Sequence, residues 1–278
     1  MTRTQDHTAW KQALEAHAVH AIPPVGTSYV LGRFDRRQVT LRGYNRELRA
    51  FVRALVYRKA APRKFVIVAR PRSGTTLLKR LMNQVPGVRC DAEKLSCAVM
   101  APRAFVNNLA HRPGIAAYGV KILSYQMLEV QRVRTGLPAF FEGLVEDGFT
   151  LIHLRRDTFG QSLSLTTARE TSAYHIPPGH SDTMQEVEID EEHFAQQYRQ
   201  SVAMLDYEDL LFSGLPHIRL QYEEDLRGAA AHQATVDTIC AALGIASAPV
   251  RADLTPTSNR TVISNRHALE QRVTAGIS

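Results

Sequence analysis

One short segment, residues 65–80, constrains the fold of this chain more than any other. It begins with a β-branched run, Phe65–Ala69, which predicts a buried strand that ends just before a proline. A tight turn through Gly74 follows, and the spacing of leucines then predicts a helix from Thr75 or Thr76. Such a junction forms a site for an anion, because free backbone N–H groups and the positive end of the helix dipole meet there.

The side chains of this turn suit a phosphate group. Gly74 lets the backbone approach a ligand closely, and the hydroxyls of Ser73, Thr75 and Thr76 add hydrogen-bond donors. Arg72 contributes a cation two residues before the glycine. The segment therefore predicts a phosphate site, with an ordinary strand–turn–helix junction carrying chance hydroxyls as the alternative.

The same turn departs from the loop that holds nucleoside triphosphates. That loop has the pattern Gly-x-x-x-x-Gly-Lys-Ser/Thr, in which the lysine reaches the β- and γ-phosphates. Here Ala69 holds the first glycine position and Thr75 holds the lysine position. A P-loop kinase or NTPase therefore stands as an alternative interpretation that lacks its central cation.

A second apolar strand leads into another set of polar residues. Phe149–Leu154 predicts a buried strand, and Arg155 and Arg156 follow it directly. Ser164 lies eight residues beyond Arg156, on the helix predicted to follow. A guanidinium fork at the start of a helix recognises a phosphate dianion, and a hydroxyl further along adds a donor. One of two adjacent arginines usually forms a salt bridge or a solvent contact, and we assign that role to Arg155.

These two segments resemble the sulfotransferases that use 3′-phosphoadenosine 5′-phosphosulfate (PAPS), over about residues 64–264. They look most like the bacterial branch that modifies carbohydrates and lipid-linked sugars, including the nodulation-factor and trehalose sulfotransferases. The resemblance implies a PAPS site without a metal, with adenosine 3′,5′-bisphosphate as the product. It implies that Arg156 and Ser164 hold the 3′-phosphate. It places the 5′-phosphate on the turn formed by Arg72, Ser73, Gly74, Thr75 and Thr76.

The resemblance also implies which residues carry the reaction. Glu93 occupies the place where these bacterial enzymes have a carboxylate base, and a base helps because an acceptor hydroxyl has a high pKa. Lys121 lies on a predicted strand similar to the family's Gly-Phe-Lys strand and would supply a second cation to the sulfuryl oxygens, while Arg72 would stabilise charge on the bridging oxygen. A simple solvent contact is the alternative for Lys121. His111 and His153 are the rivals of Glu93 as the base, although His153 lies within an apolar strand.

Later parts of the chain extend the resemblance more weakly. Residues 218–226 are similar to the family's closing strand and Tyr-Glu-Asp-Leu turn, with one extra glutamate. Arg260 and Arg266 are candidates for a C-terminal contact with the nucleotide. Residues 172–193 predict a long acid-rich loop, which is either a lid beside the site or a connector that caps the next helix.

The order of predicted elements indicates an α/β fold. Five apolar strands are predicted, at Phe65–Ala69, Gly87–Cys90, Tyr118–Ile122, Phe149–Leu154 and His217–Tyr222. Helical patterns separate them, at Thr76–Gln84, Ala92–Leu109, Ser124–Val133, Pro138–Glu146, Thr158–Glu170 and Glu191–Leu211. This alternation predicts a P-loop-like parallel sheet with helices on both faces. Ligands bind such sheets beyond the carboxyl ends of the strands, where both arginine segments lie.

Composition bounds the remaining possibilities. The 278 residues, 44% of them hydrophobic, allow one α/β domain with a sizeable core. No apolar run reaches the length of a membrane span and no signal-peptide core is evident, so we expect a cytoplasmic protein. Three cysteines without metal-ligand spacing predict reduced thiols rather than a zinc site.

Positive charge is concentrated at the start of the chain. Residues 1–64 carry 13 Lys or Arg and 4 Asp or Glu, whereas the rest of the chain has a slight acidic excess. We therefore divide the chain into a basic, mainly helical extension, 1–63, packed on or beside the core, and a PAPS-binding domain, 64–278.

Within the extension, residues 45–59 predict a basic amphipathic helix. It either docks on the sheet domain with its arginines in solvent, which we favour, or makes a peripheral contact at the inner face of an anionic membrane. Nucleic acid is disfavoured because aromatic residues are few.

The acceptor is the least constrained part of the prediction. A hydroxyl of a carbohydrate, a lipid-linked saccharide or another small molecule fits equally well, and the basic helix favours an amphiphilic one. A homo-oligomer is compatible with the sequence. A non-catalytic module that retains the nucleotide pocket is a further alternative to an enzyme.

Overall fold

A computed structural model describes residues 2–21, 40–131, 136–171, 185–252 and 261–275. The strands, in chain order, are β1 (Arg63–Ala69), β2 (Val88–Asp91), β3 (Ala117–Leu123), β4 (Phe149–Arg155), β5 (Gln185–Val187), β6 (His217–Gln221) and β7 (Thr261–Ile263). The helices are α1 (Thr2–Ala21), α2 (Leu41–Val56), α3 (Thr75–Met82), α4 (Pro102–Leu109), α5 (Leu137–Glu146), α6 (Thr158–Glu170), α7 (Glu191–Ser213), α8 (Tyr222–Asp225), α9 (Ala229–Leu243) and α10 (Arg266–Ala275). A π-helical turn spans Gln126–Val130.

The centre of the fold is a parallel sheet of five strands in the order β2-β3-β1-β4-β6. All five strands that the sequence predicts are present, with ends that differ by at most two residues. The prediction of an α/β fold with a parallel sheet is therefore confirmed. β1 lies in the middle, because its β-branched residues are buried on both faces of the sheet.

Helices cover both faces of this sheet, as expected. Val66 and Val68 of β1 pack into the apolar cluster that contains the buried sides of α4, α5 and α7. Phe65 and Ile67, which point to the opposite face, pack against α3 and α9. None of the described helices combines the length and the apolar character needed to cross a bilayer.

The order of the strands places a topological switch point at β1. The chain leaves β1 to form β2 and β3 on one side and then crosses to form β4 on the other. At such a switch point the connections after neighbouring strands turn away from each other, which leaves space for a ligand at the carboxyl edge. The turn that follows β1 lies at this place.

The predicted helix Ala92–Leu109 is wrong over its first half. The observed helix, α4, begins only at Pro102, since proline suits the first turn of a helix and disfavours helical backbone before it. Residues 92–101 instead form a connecting segment. The Gln131 side chain supports it by accepting from Val99 N at 3.1 Å and donating to the backbone oxygens of Leu95 and Cys97.

Two other predictions are corrected in part. Of the predicted helix Ser124–Val133, the structure forms a π-helical turn, Gln126–Val130, and residues 132–135 lie outside the described part. Of the predicted loop 172–193, residues 172–184 also lie outside the described part of the chain. Residues 185–187 form strand β5, which pairs with β7 in a small parallel sheet. Asp190 caps α7 by accepting from His193 N at 2.7 Å, as the connector interpretation expects.

The basic helix of the extension, α2, lies in an unexpected orientation. We expected its apolar side to dock and its arginines to face solvent, but the side that docks contains the small residues Gly43 and Ala50. A Cβ at Gly43 would lie 2.2 Å from Ala98 O, so only glycine permits this close approach. The apolar side chains of α2 are consequently exposed, among them Leu48, Phe51 and Leu55.

Candidate functional site

The turn between β1 and α3 has the backbone that an anion site needs. Arg72 and Gly74 both have positive φ angles, 65° and 91°, so the chain reverses sharply before α3 begins at Thr75. Arg72 is the only non-glycine residue with positive φ in the described part of the chain. A side chain in this conformation is costly, and such strain is typical of functional turns.

Ser73, between these two residues, has a hydroxyl without a protein partner. The residue is fully buried, and within the described part of the chain its Oγ makes no hydrogen bond. A buried hydroxyl left unpaired costs free energy unless a ligand or water pairs with it. Ser73 Oγ therefore marks a place where a polar ligand would be stabilised.

Tyr222, at the end of β6, closes the turn on one side. A Cβ at Gly74 would lie 2.5 Å from Cδ2 of the Tyr222 ring, so the glycine is required for this contact. The guanidinium carbon of Arg156 lies 4.6 Å from the centre of the same ring, a cation–π distance. The ring thus contacts both segments that the sequence singled out.

Arg156 is held close to the turn after β1. Its Nη1 donates to the backbone oxygen of Arg72 at 2.7 Å. Burial lowers the pKa of the Arg156 guanidinium, and Tyr222 and Glu223 oppose that shift. Its Nε is buried and makes no hydrogen bond within the described part, the nearest Glu223 oxygen being 4.0 Å away. One donor of this guanidinium therefore has no acceptor among the described residues.

The helix after β4 approaches the same turn. Arg72 Nε donates to Ser164 Oγ at 3.2 Å, and Gln161 Nε2 donates to the backbone oxygen of Pro71 at 2.7 Å. Asp157 caps this helix, α6, by accepting from Gly160 N at 2.6 Å. The structure therefore brings together Arg72, Arg156 and Ser164, as the two-segment prediction requires.

A buried arginine that the sequence did not reveal supports this arrangement. Arg70, at 1% exposure, donates to the backbone oxygens of Arg156 at 2.7 Å and Ser201 at 3.0 Å. It fixes the end of β1 to the end of β4 and to α7. Arg155, beside Arg156, instead forms an ion pair with Asp209 at 2.6 Å, which matches the role we assigned to it.

A second group of side chains lies at the head of α3. Lys121 Nζ, from β3, is 3.1 Å from Thr76 Oγ1 and 2.9 Å from Glu93 Oε1. Gln126 Nε2 donates to the other Glu93 oxygen at 2.8 Å. The two predicted catalytic residues, Glu93 and Lys121, are thus in direct contact with each other and with the predicted phosphate turn. The Lys121 side chain is 6% exposed and that of Glu93 is 30% exposed, so the carboxylate is the more accessible.

Asp91 anchors the segment that carries Glu93. Burial raises the pKa of its carboxyl, but the charges of Lys94, Arg112 and Arg89 outweigh burial and hold the pKa below its usual value. Arg112 Nη2 donates to Asp91 at 2.8 Å and Tyr118 Oη donates to it at 3.2 Å. The carboxylate thus fixes the end of β2 to β3.

The two histidines considered as rival bases have other partners. His153 is buried, lies 3.1 Å from Glu208 Oε2 and stacks on Phe212. His111 Nδ1 lies 2.8 Å from the backbone oxygen of Tyr57. In the described residues neither makes a hydrogen bond or ion pair with Glu93.

Of the two arginines predicted to contact the nucleotide from the C-terminal part, Arg266 lies 5.6 Å from the Phe159 ring centre and pairs with Glu270 at 3.0 Å. Arg260 lies outside the described residues.

The sequence missed three contributors: Tyr222, Gln126 and Arg70. Tyr222 begins the turn that is similar to Tyr-Glu-Asp-Leu, and its position at a strand carboxyl end is the signal that the sequence offers. Gln126 gave no sequence signal, because its contact with Glu93 depends on the π-helical turn.

In the part of the chain that the structure describes, no group of three or more His, Cys, Asp or Glu is placed to hold a metal ion.

The chain was compared with known families, sequences and structures. No protein-family model matches it, and no curated protein sequence does. Among solved structures, a sulfotransferase from Alicyclobacillus acidocaldarius is similar, at 14% identity and a TM-score of 0.45, over 78% of this chain and 96% of that one.

Proposed function

We propose that this protein is a PAPS-dependent sulfotransferase that transfers the sulfuryl group to a hydroxyl of a carbohydrate, a lipid-linked saccharide or another small molecule. The observation that carries the proposal is the contact of two anion-binding segments at one edge of the sheet. Arg72 Nε lies 3.2 Å from Ser164 Oγ, and Arg156 Nη1 lies 2.7 Å from the Arg72 backbone oxygen. A nucleotide with phosphate at both ends matches two adjacent cationic segments of this kind.

The residues present fit such a donor. The Ser73 hydroxyl and Arg156 Nε are buried polar groups without a partner among the described residues, and a phosphate would satisfy them. Arg156 and Ser164 would hold the 3′-phosphate. The 5′-phosphate would lie against Arg72, Ser73, Gly74, Thr75 and Thr76, where α3 begins. When bound, PAPS supplies an activated sulfuryl group.

Glu93 and Lys121 are assigned the reaction itself. Glu93 accepts the proton of the acceptor hydroxyl while that oxygen bonds to sulfur and the bond from sulfur to the 5′-phosphate oxygen breaks. Arg72 and Lys121 stabilise negative charge on the sulfuryl oxygens and on the leaving phosphate. Lys121 suits this role, because its amino group already lies at the head of α3, 3.1 Å from Thr76 Oγ1.

The same lysine is the observation that favours a P-loop kinase or NTPase as the second candidate. In a P-loop protein the lysine lies at the start of the helix that follows the loop. Here the ammonium group of Lys121 reaches the start of α3 from β3, the strand beside β1. A kinase also needs a carboxylate for magnesium, and β4 ends instead in Arg155 and Arg156. Magnesium-dependent ATP binding would support this candidate over a sulfotransferase.

A transfer experiment tests the proposal. The protein is incubated with ³⁵S-labelled PAPS and extracts of its native cell, and the labelled product is identified by mass spectrometry. We expect label in a hydroxyl-bearing acceptor with wild-type protein, none with Glu93→Ala, and full transfer with the control Glu146→Ala, an exposed glutamate of α5. PAPS binding without transfer to any acceptor would indicate a non-catalytic module, and transfer by Glu93→Ala would remove Glu93 as the base.

A further inference from the structure

One face of α2 is apolar and exposed over the whole helix. It consists of Leu41, Tyr44, Leu48, Phe51, Val52, Leu55 and Val56, each between 43% and 83% exposed. At the rise of an α-helix, sixteen residues extend this stripe over about 24 Å. Exposed large side chains scattered singly are ordinary, but a contiguous stripe of this length indicates an interaction surface.

The docking of α2 leaves this stripe pointing outward. Gly43 and Ala50 face the body of the protein, on the side of the helix opposite Leu48 and Val52. Arg46 Nη2 donates to Lys94 O at 2.6 Å. Glu47 accepts from the backbone N–H groups of Met100 and Ala101, each at 2.8 Å. The small residues and these polar contacts therefore fix the helix on the body of the protein, and its large apolar side chains remain exposed.

The exposed charged side chains of residues 40–60 are basic. Arg42, Arg49, Arg58 and Lys59 are exposed, and Arg42 and Arg49 lie along one flank of the stripe. Glu47 is the only acidic residue between positions 40 and 60, and the two backbone contacts above occupy its carboxylate. An apolar stripe with a cationic flank matches a surface that is itself apolar and anionic.

We infer that α2 is a membrane-surface helix that lies on an anionic bilayer, with Leu48, Phe51 and Leu55 among the acyl chains and its arginines at the lipid phosphates. Apolar burial and electrostatic attraction act together in helices of this type. A second copy of this chain would fit less well, because a two-fold contact would place the cations of one α2 beside those of the other. The inference does not depend on the proposed sulfotransferase activity.

Sedimentation with lipid vesicles tests the inference. The full chain is mixed with vesicles of phosphatidylcholine alone, or with about 30% phosphatidylglycerol, near physiological ionic strength. We expect binding only to the anionic vesicles, and roughly tenfold weaker partition for Phe51→Ser/Leu55→Ser. Arg42→Gln/Arg49→Gln should weaken binding by a similar factor, and high salt should weaken wild-type binding.

Matched controls separate this effect from nonspecific changes. Val262→Ser removes an exposed apolar side chain elsewhere, and Arg199→Gln/Arg272→Gln removes two exposed charges from other helices. Both should bind anionic vesicles like the wild type. Equal binding by the α2 variants and the wild type would overturn the inference, as would no vesicle binding at all. A lipid-free dimer that becomes monomeric in Phe51→Ser/Leu55→Ser, without vesicle binding, would assign the stripe to a second copy and also overturn it.

Discussion

Arg72 and Ser164 are 92 positions apart in the sequence, yet Nε of the arginine donates to the serine hydroxyl at 3.2 Å. This contact joins the turn after the central strand to the helix after its neighbour β4. Because parallel strands end at one edge of the sheet, the two segments can act on opposite ends of one ligand.

Removal of the Ser73 hydroxyl should affect ligand binding and not stability. Ser73 Oγ is buried without a hydrogen-bond partner in the described residues, so Ser73→Ala leaves no protein group unpaired. We expect an unfolding free energy within about 0.5 kcal/mol of wild type, and weaker binding of adenosine 3′,5′-bisphosphate by roughly three- to tenfold. Calorimetry and urea unfolding measure the two effects. Thr166→Val, which removes another buried unpaired hydroxyl, is the control and should leave binding unchanged.

Gly74→Ala should damage both the turn and the site. Its φ of 91° strains any other residue, and the added Cβ would lie 2.5 Å from the Tyr222 ring. Gly114→Ala meets the same kind of strain at φ 72° but has nothing within 4 Å. Gly114→Ala should lose about 1–2 kcal/mol of stability in urea unfolding, and Gly74→Ala should lose more, because the clash with the Tyr222 ring adds to the strain. Only Gly74→Ala should weaken nucleotide binding, because only there must the ring of Tyr222 move; equal loss of binding in both would contradict this role of Tyr222.

Gln126 should act as a positioning residue for Glu93. Its amide donates to Glu93 Oε2 at 2.8 Å, while its own oxygen accepts from Leu123 N at 3.2 Å. Gln126→Leu should lower kcat by about tenfold with little change in donor KM, since the carboxylate loses its orientation. Gln197→Leu, at another buried glutamine, is the control for general disturbance of the fold. Equal kcat loss in both variants, or a change confined to KM, would remove the positioning role.

Asp91 should make stability depend on pH at the acidic end. Lys94, Arg112 and Arg89 hold its pKa below the unfolded value, so its contribution is present above that value and is lost as pH falls through the folded pKa. Asp91→Asn should therefore cost about 1–3 kcal/mol at neutral pH, and the cost should shrink below about pH 4. Urea unfolding across this pH range measures the difference. A cost that stays constant with pH would contradict the charge-based origin.

Much of the fold could be predicted because β-branched runs and leucine spacing are strong local signals. Phe65–Ala69 and Phe149–Leu154 both form strands of the parallel sheet, and Thr75–Met82 forms the helix α3, between the turn after β1 and strand β2. The failures share a different cause. The backbone of residues 92–101 depends on the distant Gln131 side chain, and β5 exists only because it pairs with β7. Neither relationship leaves a periodic pattern in the sequence.

The candidate site likewise combines features that the sequence predicts with features that it does not. Arg72, Arg156 and Ser164 were predictable because charge and hydroxyls at strand ends and helix starts have a direct physical use. Glu93 and Lys121 were also predicted, from the resemblance, but their direct contact and the contact of Gln126 with Glu93 were not, since only the folded chain brings these segments together. The exposed face of α2 was also hidden. The amphipathic pattern of α2 fits a buried apolar stripe as well as an exposed one. The close approach of Gly43 to Ala98 O turns the Gly43 side of the helix inward and leaves the apolar stripe exposed.

Titration calorimetry of nucleotides without metal tests the central claim most directly. We predict that wild-type protein binds adenosine 3′,5′-bisphosphate at least about tenfold more tightly than AMP, because Arg156 and Ser164 hold the additional phosphate. Arg156→Gln should abolish most of that difference, whereas Arg155→Gln, which loses only a pair with Asp209, should preserve it. Equal affinity of the wild type for both nucleotides, or binding of ATP alone and only with magnesium, would contradict the account.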